Sequence, residues 1–429
     1  MPSKKRQIGS GKNLEGAMPT VQDQIEQIRH NLQHQAQSIN LPSPSLEKWR
    51  YVLPSTFTKM AEYLEKKTSV KEDRFVLDQL SHDKIEIYFD GKQLIIPKHL
   101  KQAGVIVQPI LSSNIEQVKL QQLLCYLKNV SSSPEEWLTR YNAGQFVNGL
   151  FIHVPSSYKS DTPICIKLSG STQKFQNWCH LIDAASHANT SILIDALGAD
   201  ESWHNQVFHY NLSADAHLQV YNISTGQKDS LLTQHHLASL EDSASFLMSS
   251  LIKGSGFVRQ QTTIDLRGNH ASCNVTGMHL TQEKQQHHYV TTVNHLCPNT
   301  QSEQTFKGIL KHTHKLNDEK IARASFLGKI YIAPQAIKTE AHQSYKALLL
   351  APEAGIYAKP ELEIYADDVK CSHGTATGAI DEDMLFYLMS RGFSHEMAAT
   401  LITAGFLEEI TNKIPEGLLR QSFLSPISL

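Results

Sequence analysis

His187-Ala-Asn-Thr-Ser-Ile192 is the first of four related segments, and it returns as Asp215-Ala-His-Leu-Gln-Val220, Ser243-Ala-Ser-Phe-Leu-Met248 and His270-Ala-Ser-Cys-Asn-Val275. Each begins with a polar residue and an alanine and continues as a short, partly apolar strand. The alanines follow one another at intervals of 28, 28 and 27 residues. Stacked turns of a β-solenoid produce such a fixed period, because each turn buries its apolar face against its neighbours. The repeat therefore predicts a mainly β protein with a parallel β-helix as its core.

A shorter repeat lies nearer the C-terminus, where Ala333-Pro-Gln-Ala336 is echoed 18 residues later by Ala351-Pro-Glu-Ala354. Each copy comes just after an apolar strand. The alternative is a β-sandwich whose turns are spaced by coincidence. Similar turn chemistry at regular intervals favours the solenoid, and we assign the β-helix core to residues 144–378.

The segment before the solenoid has a different character. Residues 1–18 are rich in Lys, Gly and Ser and predict a disordered leader. Residues 19–143 combine helical spacing, as from Val21 to Ile39, with a β-hairpin signal at Asp90-Gly91. We therefore predict an N-terminal domain of helices with some strand.

Helical spacing returns after the solenoid. Asp381 and Ser394 are good N-caps for two successive apolar stripes, and Gly392 supplies a stop between them. Residues 379–429 are thus predicted to form a C-terminal helical domain. From spacing alone, packing of these helices onto the end of the solenoid is favoured over docking of another protein.

Composition argues against several classes of protein. The formal net charge is −2, so the chain lacks the basic field that nucleic-acid binding needs. The six cysteines form no Cys-x-x-Cys pair, which favours a reducing, cytoplasmic setting. No stretch has the pattern of a signal peptide or a bilayer span, so we expect a protein that is neither secreted nor membrane-embedded.

Cys371 and His373 lie two residues apart, so both side chains point to the same face if the backbone is extended. A thiolate and an imidazole on one face can ligate a soft metal, although two groups are too few for a complete tetrahedral site. Taken alone, the spacing favours a buried structural cysteine beside a solvated histidine.

Other histidines have no metal-site spacing. His287, His288, His295, His312 and His314 are interpreted as surface and turn residues. The chain has no Gly-x-x-x-x-Gly-Lys-Ser/Thr phosphate loop, so any ATP dependence would come from a partner. It also lacks the Gly-x-Ser-x-Gly nucleophile elbow between a strand and a helix, which argues against a hydrolase of that type.

Two segments near the C-terminus resemble the C-terminal signature of the SufB/SufD family. They are residues 362–378, Leu-Glu-Ile-Tyr-Ala-Asp-Asp-Val-Lys-Cys-Ser-His-Gly-Thr-Ala-Thr-Gly, and residues 381–392. Gly328-Lys-Ile-Tyr-Ile-Ala-Pro334, Thr291-Thr-Val-Asn-His295 and Lys307-Gly-Ile-Leu310 agree with the same family. The resemblance implies an N-terminal helical region, a right-handed parallel β-helix and a C-terminal helical domain.

The resemblance also implies a role in iron–sulfur cluster assembly. Family members SufB and SufD form a heterodimer, and each binds the ATPase SufC through its C-terminal helices, here within 379–429. SufB-type chains carry Glu-His-Glu where this chain has Ser372-His373-Gly374, which favours a SufD-type scaffold without catalytic activity of its own. His373 is then the best candidate ligand for a nascent, transiently held iron–sulfur cluster at the SufB interface, and Cys371 is the second. A homodimer when SufB is absent is a further implied state.

Two alternatives stay open. A SufB-like subunit would nucleate a cluster by itself. A β-solenoid carbohydrate-active enzyme would need paired carboxylates in a cleft, and Asp367-Asp368 is the clearest adjacent acidic pair near a turn. The side chains of that pair point to opposite faces of a strand, which argues against the enzyme.

Overall fold

The computed structural model describes residues 21–38, 41–65, 86–91, 93–111, 117–128, 130, 133–160, 162–169, 174–282, 284–311, 322–350 and 354–424. The predicted leader, His312 and His314 lie outside the described residues. Strands are numbered in chain order and fall into two sheets.

The first sheet has ten strands in the order β2-β1-β5-β7-β9-β11-β13-β15-β17-β19. Their bounds are β1 Glu86–Phe89, β2 Leu94–Ile95, β5 Ile164–Ser169, β7 Asn189–Gly198, β9 His217–Gly226, β11 Ser245–Gly254, β13 Ser272–Thr281, β15 Gln301–Leu310, β17 Thr339–Leu349 and β19 Val369–Ala379. The second sheet has nine strands in the order β3-β4-β6-β8-β10-β12-β14-β16-β18. Their bounds are β3 Ile106–Pro109, β4 Leu150–Val154, β6 Phe175–Ala184, β8 Trp203–Leu212, β10 Leu231–Leu240, β12 Phe257–Leu266, β14 Gln286–His295, β16 Arg323–Ile332 and β18 Gly355–Ile364.

The chain alternates between the sheets, and each strand from β5 onward pairs in parallel with the strand one turn earlier. The result is a parallel β-solenoid of about 7 turns, with helices before and after it. The predicted fold class is confirmed. The hairpin signal is also confirmed, because β1 and β2 pair antiparallel.

The repeated polar–alanine pair forms the turn that enters strands β7, β9, β11 and β13. His187, Asp215, Ser243 and His270 have positive φ angles between 56° and 63°, and the alanine after each is fully buried. Short polar side chains tolerate this left-handed backbone better than branched ones do. A small residue then fits where successive turns stack, and its carbonyl accepts a hydrogen bond from the next turn, as from His217 N to Ala188 O at 2.8 Å.

Helices cover both outer faces of the solenoid. The eight α-helices within the described residues are α1 Val21–Ser38, α2 Pro54–Glu65, α3 Lys98–Gln102, α4 Gln117–Lys128, α5 Trp137–Gln145, α6 Glu382–Ser390, α7 His395–Thr411 and α8 Leu418–Leu424. α4 and α5 pack on the second sheet through residues such as Tyr126 and Ala143, and α1 packs on both helices through Ile25. α7 and α8 pack on the first sheet through Leu407 and Phe423. Strands β1 to β3 come from the segment assigned to the N-terminal domain, and they extend the two sheets. The domain boundaries stay predictions.

The interpretation of the histidines as surface residues was wrong for part of the set. His287, His288 and His295 lie in β14 and are buried, because both faces of this strand are covered. They belong to a group of nine buried histidines in the described chain: His180, His204, His209, His235, His236, His279, His287, His288 and His295. Burial disfavours the charged ring and lowers the pKa of His236 to about 3 and that of His287 to about 4.

These histidines predict a fold that is sensitive to acid. An unfolded histidine takes up a proton near pH 6.5, whereas the buried ring stays neutral down to about pH 4, as for His204. Unfolded chains therefore bind more protons in this window, and stability falls as pH drops from about 6.5 to 4. Each such group contributes to this loss of stability as the pH falls.

Urea titrations between pH 8 and pH 5 should show this decline. His236→Phe keeps the ring stacked on Phe208 and should make the dependence on pH shallower, whatever it does to stability at pH 8. The exposed His342→Gln is the matched control and should leave the slope unchanged. A slope that does not respond to His236→Phe would contradict the explanation.

Candidate functional site

The last turn of the solenoid differs from the others in having no turn stacked on it within the described residues. β19 pairs with β17 along one edge, and it ends the ten-stranded sheet. On β17 the side chains of Ala341, Gln343 and Tyr345 point into the interior between the two sheets, which we call the lumen, and are buried. Their register partners on β19, such as Cys371, His373 and Thr375, are partly or fully exposed.

The extended backbone of β19 places Cys371 and His373 on the same, lumen-facing side. Cys371 pairs with Ala341 and His373 with Gln343. Ser372, between them, faces outward and lies 2.8 Å from Nδ1 of His342 through its Oγ. His373 is exposed and Cys371 is half-buried, so the two candidate ligands line the open mouth of the lumen.

The environment of Cys371 favours the protonated thiol. Burial raises the pKa of Cys371, and a backbone hydrogen bond at Ala341 offsets part of that rise. A bound cation reverses this balance, because metal ligation requires the thiolate and releases a proton. Within the described part of the chain no group of three or more His, Cys, Asp or Glu residues is arranged to hold a metal ion. The pair is therefore half of a coordination shell at most.

The C-terminal helices begin where the sequence predicts. The carboxylate of Asp381 accepts hydrogen bonds from the backbone N–H of Asp383 and Met384, and the Ser394 hydroxyl accepts one from Met397. These caps start α6 and α7 immediately after β19. The path from the candidate ligands to the first of these helices is therefore short.

The surface of α6 and the start of α7 is unusually apolar. Six large apolar side chains are between 43% and 72% exposed: Met384, Phe386, Tyr387, Met389, Met397 and Leu401. Isolated exposed apolar residues are common, but a concentration on one helical hairpin is typical of an interaction surface.

A buried lysine joins α7 to the solenoid. Lys307 on β15 donates to the Phe406 carbonyl at 2.5 Å and lies 2.7 Å from a Glu409 carboxylate oxygen. The same oxygen lies 3.9 Å from Nζ of Lys346 on β17. α7 is thus bonded to the two strands that precede β19 in the sheet. Lys307 lies within one of the segments that resemble the family. Its partners lie 99 or more residues further along the chain, so the sequence gives no local indication of the contact.

Sequence comparisons find similar proteins within one family. The family model described as "SUF system FeS cluster assembly, SufBD core domain" matches residues 167–406, more than half of the chain. The chain is 29% identical over 264 residues to the iron-sulfur cluster assembly protein SufD of Escherichia coli, covering 61% of this chain and 60% of that protein. It is 24% identical over 414 residues to SufD of Bacillus subtilis, covering 92% of each.

The family model covers the stacked turns of the parallel β-solenoid, and this match defines the class of protein. The chain belongs to the SufB/SufD family of the SUF system. Within that family it is a SufD-like protein of iron–sulfur cluster assembly. Among the described residues no helix is long and apolar enough to cross a membrane.

The Lys307 contact predicts how α7 is held. Glu409→Gln removes the carboxylate that pairs with Lys307, whose side chain is 6% exposed, so a nearly buried ammonium loses its counter-charge. The hydrogen bond from Lys307 lowers the pKa of Glu409, which is consistent with a favourable pairing. We expect a loss of about 1 kcal/mol in stability and faster proteolysis within α7.

Glu408→Gln is the matched control, because Glu408 is exposed and its carboxylate accepts from Asn412 on the same helix. Urea unfolding and limited proteolysis of the full chain would measure both variants. Equal behaviour of the two variants would show that the Lys307 pair does not hold α7.

Proposed function

We propose that this chain is a non-catalytic, SufD-type scaffold that pairs with a SufB subunit and with the ATPase SufC in the cytoplasm. His373, together with Cys371, contributes ligands for a nascent iron–sulfur cluster at the SufB interface. The cluster is cargo, which is built at the interface and passed to other proteins. The ATPase activity resides in SufC.

The observation that carries this proposal is the pair of ligand side chains, one exposed and one half-buried, on a strand that is paired along one edge only within the described residues. Natural solenoids protect their ends, because an open edge pairs readily with another chain. Here the end strand presents an imidazole and a thiol, which are ligands suited to iron and to iron–sulfur clusters. A second chain joining at this edge would complete the coordination that Cys371 and His373 leave unfinished.

The state of the cysteines supports the cytoplasmic assignment. All six are free thiols, and Cys165, Cys179 and Cys273 are buried in the solenoid. Burial raises the pKa of Cys165 to about 11 and that of Cys273 to about 12, so these thiols are unreactive. Cys371 is instead at the open end, where a partner's metal could reach it.

The apolar helical hairpin supports docking of SufC. The exposed apolar side chains of α6 and α7 are carried directly after β19, and α7 is tied to β15 and β17 through Lys307 and Glu409. A force applied to the hairpin would therefore reach the strand next to the candidate ligands. This connection is a physical route by which ATP-driven motion of SufC could reshape the interface.

Replacement of His373 by Ala tests the role of the imidazole. The side chain is exposed, so the fold and the complex with SufB and SufC should remain intact. Cluster formation in the reconstituted complex, followed anaerobically by visible absorbance, should fall by at least about tenfold, because a ligand is lost.

His342→Ala is the control, since His342 is also exposed but faces outward on the adjacent strand. Unchanged cluster yield in His373→Ala would refute the proposal. A cluster that forms on the isolated chain as well as it does on the complex would favour a SufB-like role instead.

Substitutions on the helical hairpin test the docking surface. Phe386→Ser combined with Met397→Ser removes two side chains that are 72% and 56% exposed, so stability should change little. Binding of purified SufC, measured by calorimetry, should weaken at least about tenfold, because such apolar anchors dominate interfaces. The control is Leu197→Ser, 41% exposed at the end of β7. SufC binding that survives the double substitution would place the docking surface elsewhere.

A further inference from the structure

Three polar side chains lie in the lumen one or two turns below the candidate ligands. Gln304 on β15, Gln343 on β17 and Thr291 on β14 are 1%, 3% and 2% exposed. The Thr291 hydroxyl donates to Oε1 of Gln304 at 2.8 Å, and Nε2 of Gln343 donates to the same oxygen at 3.3 Å. In this arrangement the nitrogen of the Gln343 amide is turned toward Gln304, whose own Nε2 has no hydrogen-bond partner within the described residues.

The opposite end of that amide is unsatisfied. Oε1 of Gln343 is buried and has no hydrogen-bond partner within the described residues. Leaving a buried acceptor unpaired costs free energy, and folded proteins rarely do so without a functional reason. Since Nε2 is already used, the carbonyl oxygen is the part of Gln343 that is available to another group.

The sheet register identifies the nearest candidate for that group. Gln343 is the direct neighbour of His373 across the β17–β19 ladder, and both side chains point into the lumen. Neighbouring strands lie about 4.8 Å apart, a distance that a glutamine side chain readily spans. His373 belongs to the exposed turn, so its ring has the freedom to approach the amide.

Gly328 keeps space for this arrangement on the opposite wall. A Cβ atom at Gly328 would lie 2.4 Å from Nε2 and 2.6 Å from Oε1 of Gln343. Gly328 is paired with Thr291 on one side and Pro360 on the other, so it faces the lumen at the level of the amide. Any larger residue would push the Gln343 side chain out of its present position.

We propose that Gln343 is a positioning residue for His373, a role that rests on the function proposed above. Oε1 of Gln343 accepts a hydrogen bond from one ring nitrogen of His373. That bond fixes which ring nitrogen carries the proton, and the other nitrogen then presents its lone pair toward the mouth of the lumen. Gln304 and Thr291 hold the amide in place, and Gly328 leaves the room for it.

Two substitutions at Gln343 test this role. Gln343→Met keeps the length and volume but removes the acceptor, and the initial rate of cluster formation in the reconstituted complex should fall about tenfold. Gln343→Glu retains an oxygen acceptor, and the Gln304 amide can turn its unpartnered Nε2 toward the new carboxylate, so this variant should restore most of the rate. Gly328→Ala leaves Gln343 unchanged in identity but displaces its amide, so it should also slow cluster formation.

The control for a general packing defect is Gln234→Met. Gln234 is an equally buried lumen glutamine, bonded to Asn222, Ser224 and Gln206, and it lies several turns from the mouth. Its replacement should lower urea stability as much as Gln343→Met does, yet leave the assembly rate unchanged. Because Gly328→Ala acts without altering Gln343, it keeps the test decisive if Gln343→Met folds poorly.

The results separate the two hypotheses. A normal rate in Gln343→Met and Gly328→Ala, or a Glu variant as slow as the Met variant, would overturn the positioning role while His373→Ala stays defective. A normal rate in His373→Ala would instead remove the proposed function itself. A slow Gln343→Met, rescued by Glu and not reproduced by Gln234→Met, is the result we expect.

Discussion

Each turn of this solenoid is stable because another turn lies against it. A single pair of strands cannot bury its apolar face, so the core exists as a stack of layers joined by backbone ladders. At its beginning the stack is extended by β1 to β3, and its outer faces are covered by helices. At its other end β19 has the ladder on one side, and its lumen-facing side chains remain exposed. The same constraint that builds the core thus leaves one end of the stack without a covering layer in the described residues.

The exposed end also explains why the candidate chemistry is placed there. Inside the stack, burial raises the pKa of thiols such as Cys273 and lowers that of imidazoles such as His287, which makes them poor sites for proton or metal exchange. At the open turn His373 is exposed and Cys371 is half-buried. In the function proposed above, the ligands must accept cargo and later release it, which an edge that a second chain closes and reopens would allow.

The sequence predicted the solenoid because its turns repeat a chemical signature that needs no tertiary information. The alanine at each turn is small because the stack is tight there, and the polar residue before it accepts a positive φ, as at Asp215. The burial of the histidines of β14 could not be predicted in the same way. A strand covered on both faces has no outward polar side, so His287 and His288 resemble surface residues in sequence although both are buried.

Cys371 and His373 could be singled out because their relation is local, two positions apart on one strand. The groups proposed to position His373 come from strands far away in sequence, since Gln304, Gly328 and Gln343 meet only when β15, β16 and β17 have stacked. None of the three has a chemically distinctive type, and their arrangement depends on register. Ligand positions are therefore readable from a short motif, whereas the residues that orient a ligand follow from the three-dimensional stacking of whole turns.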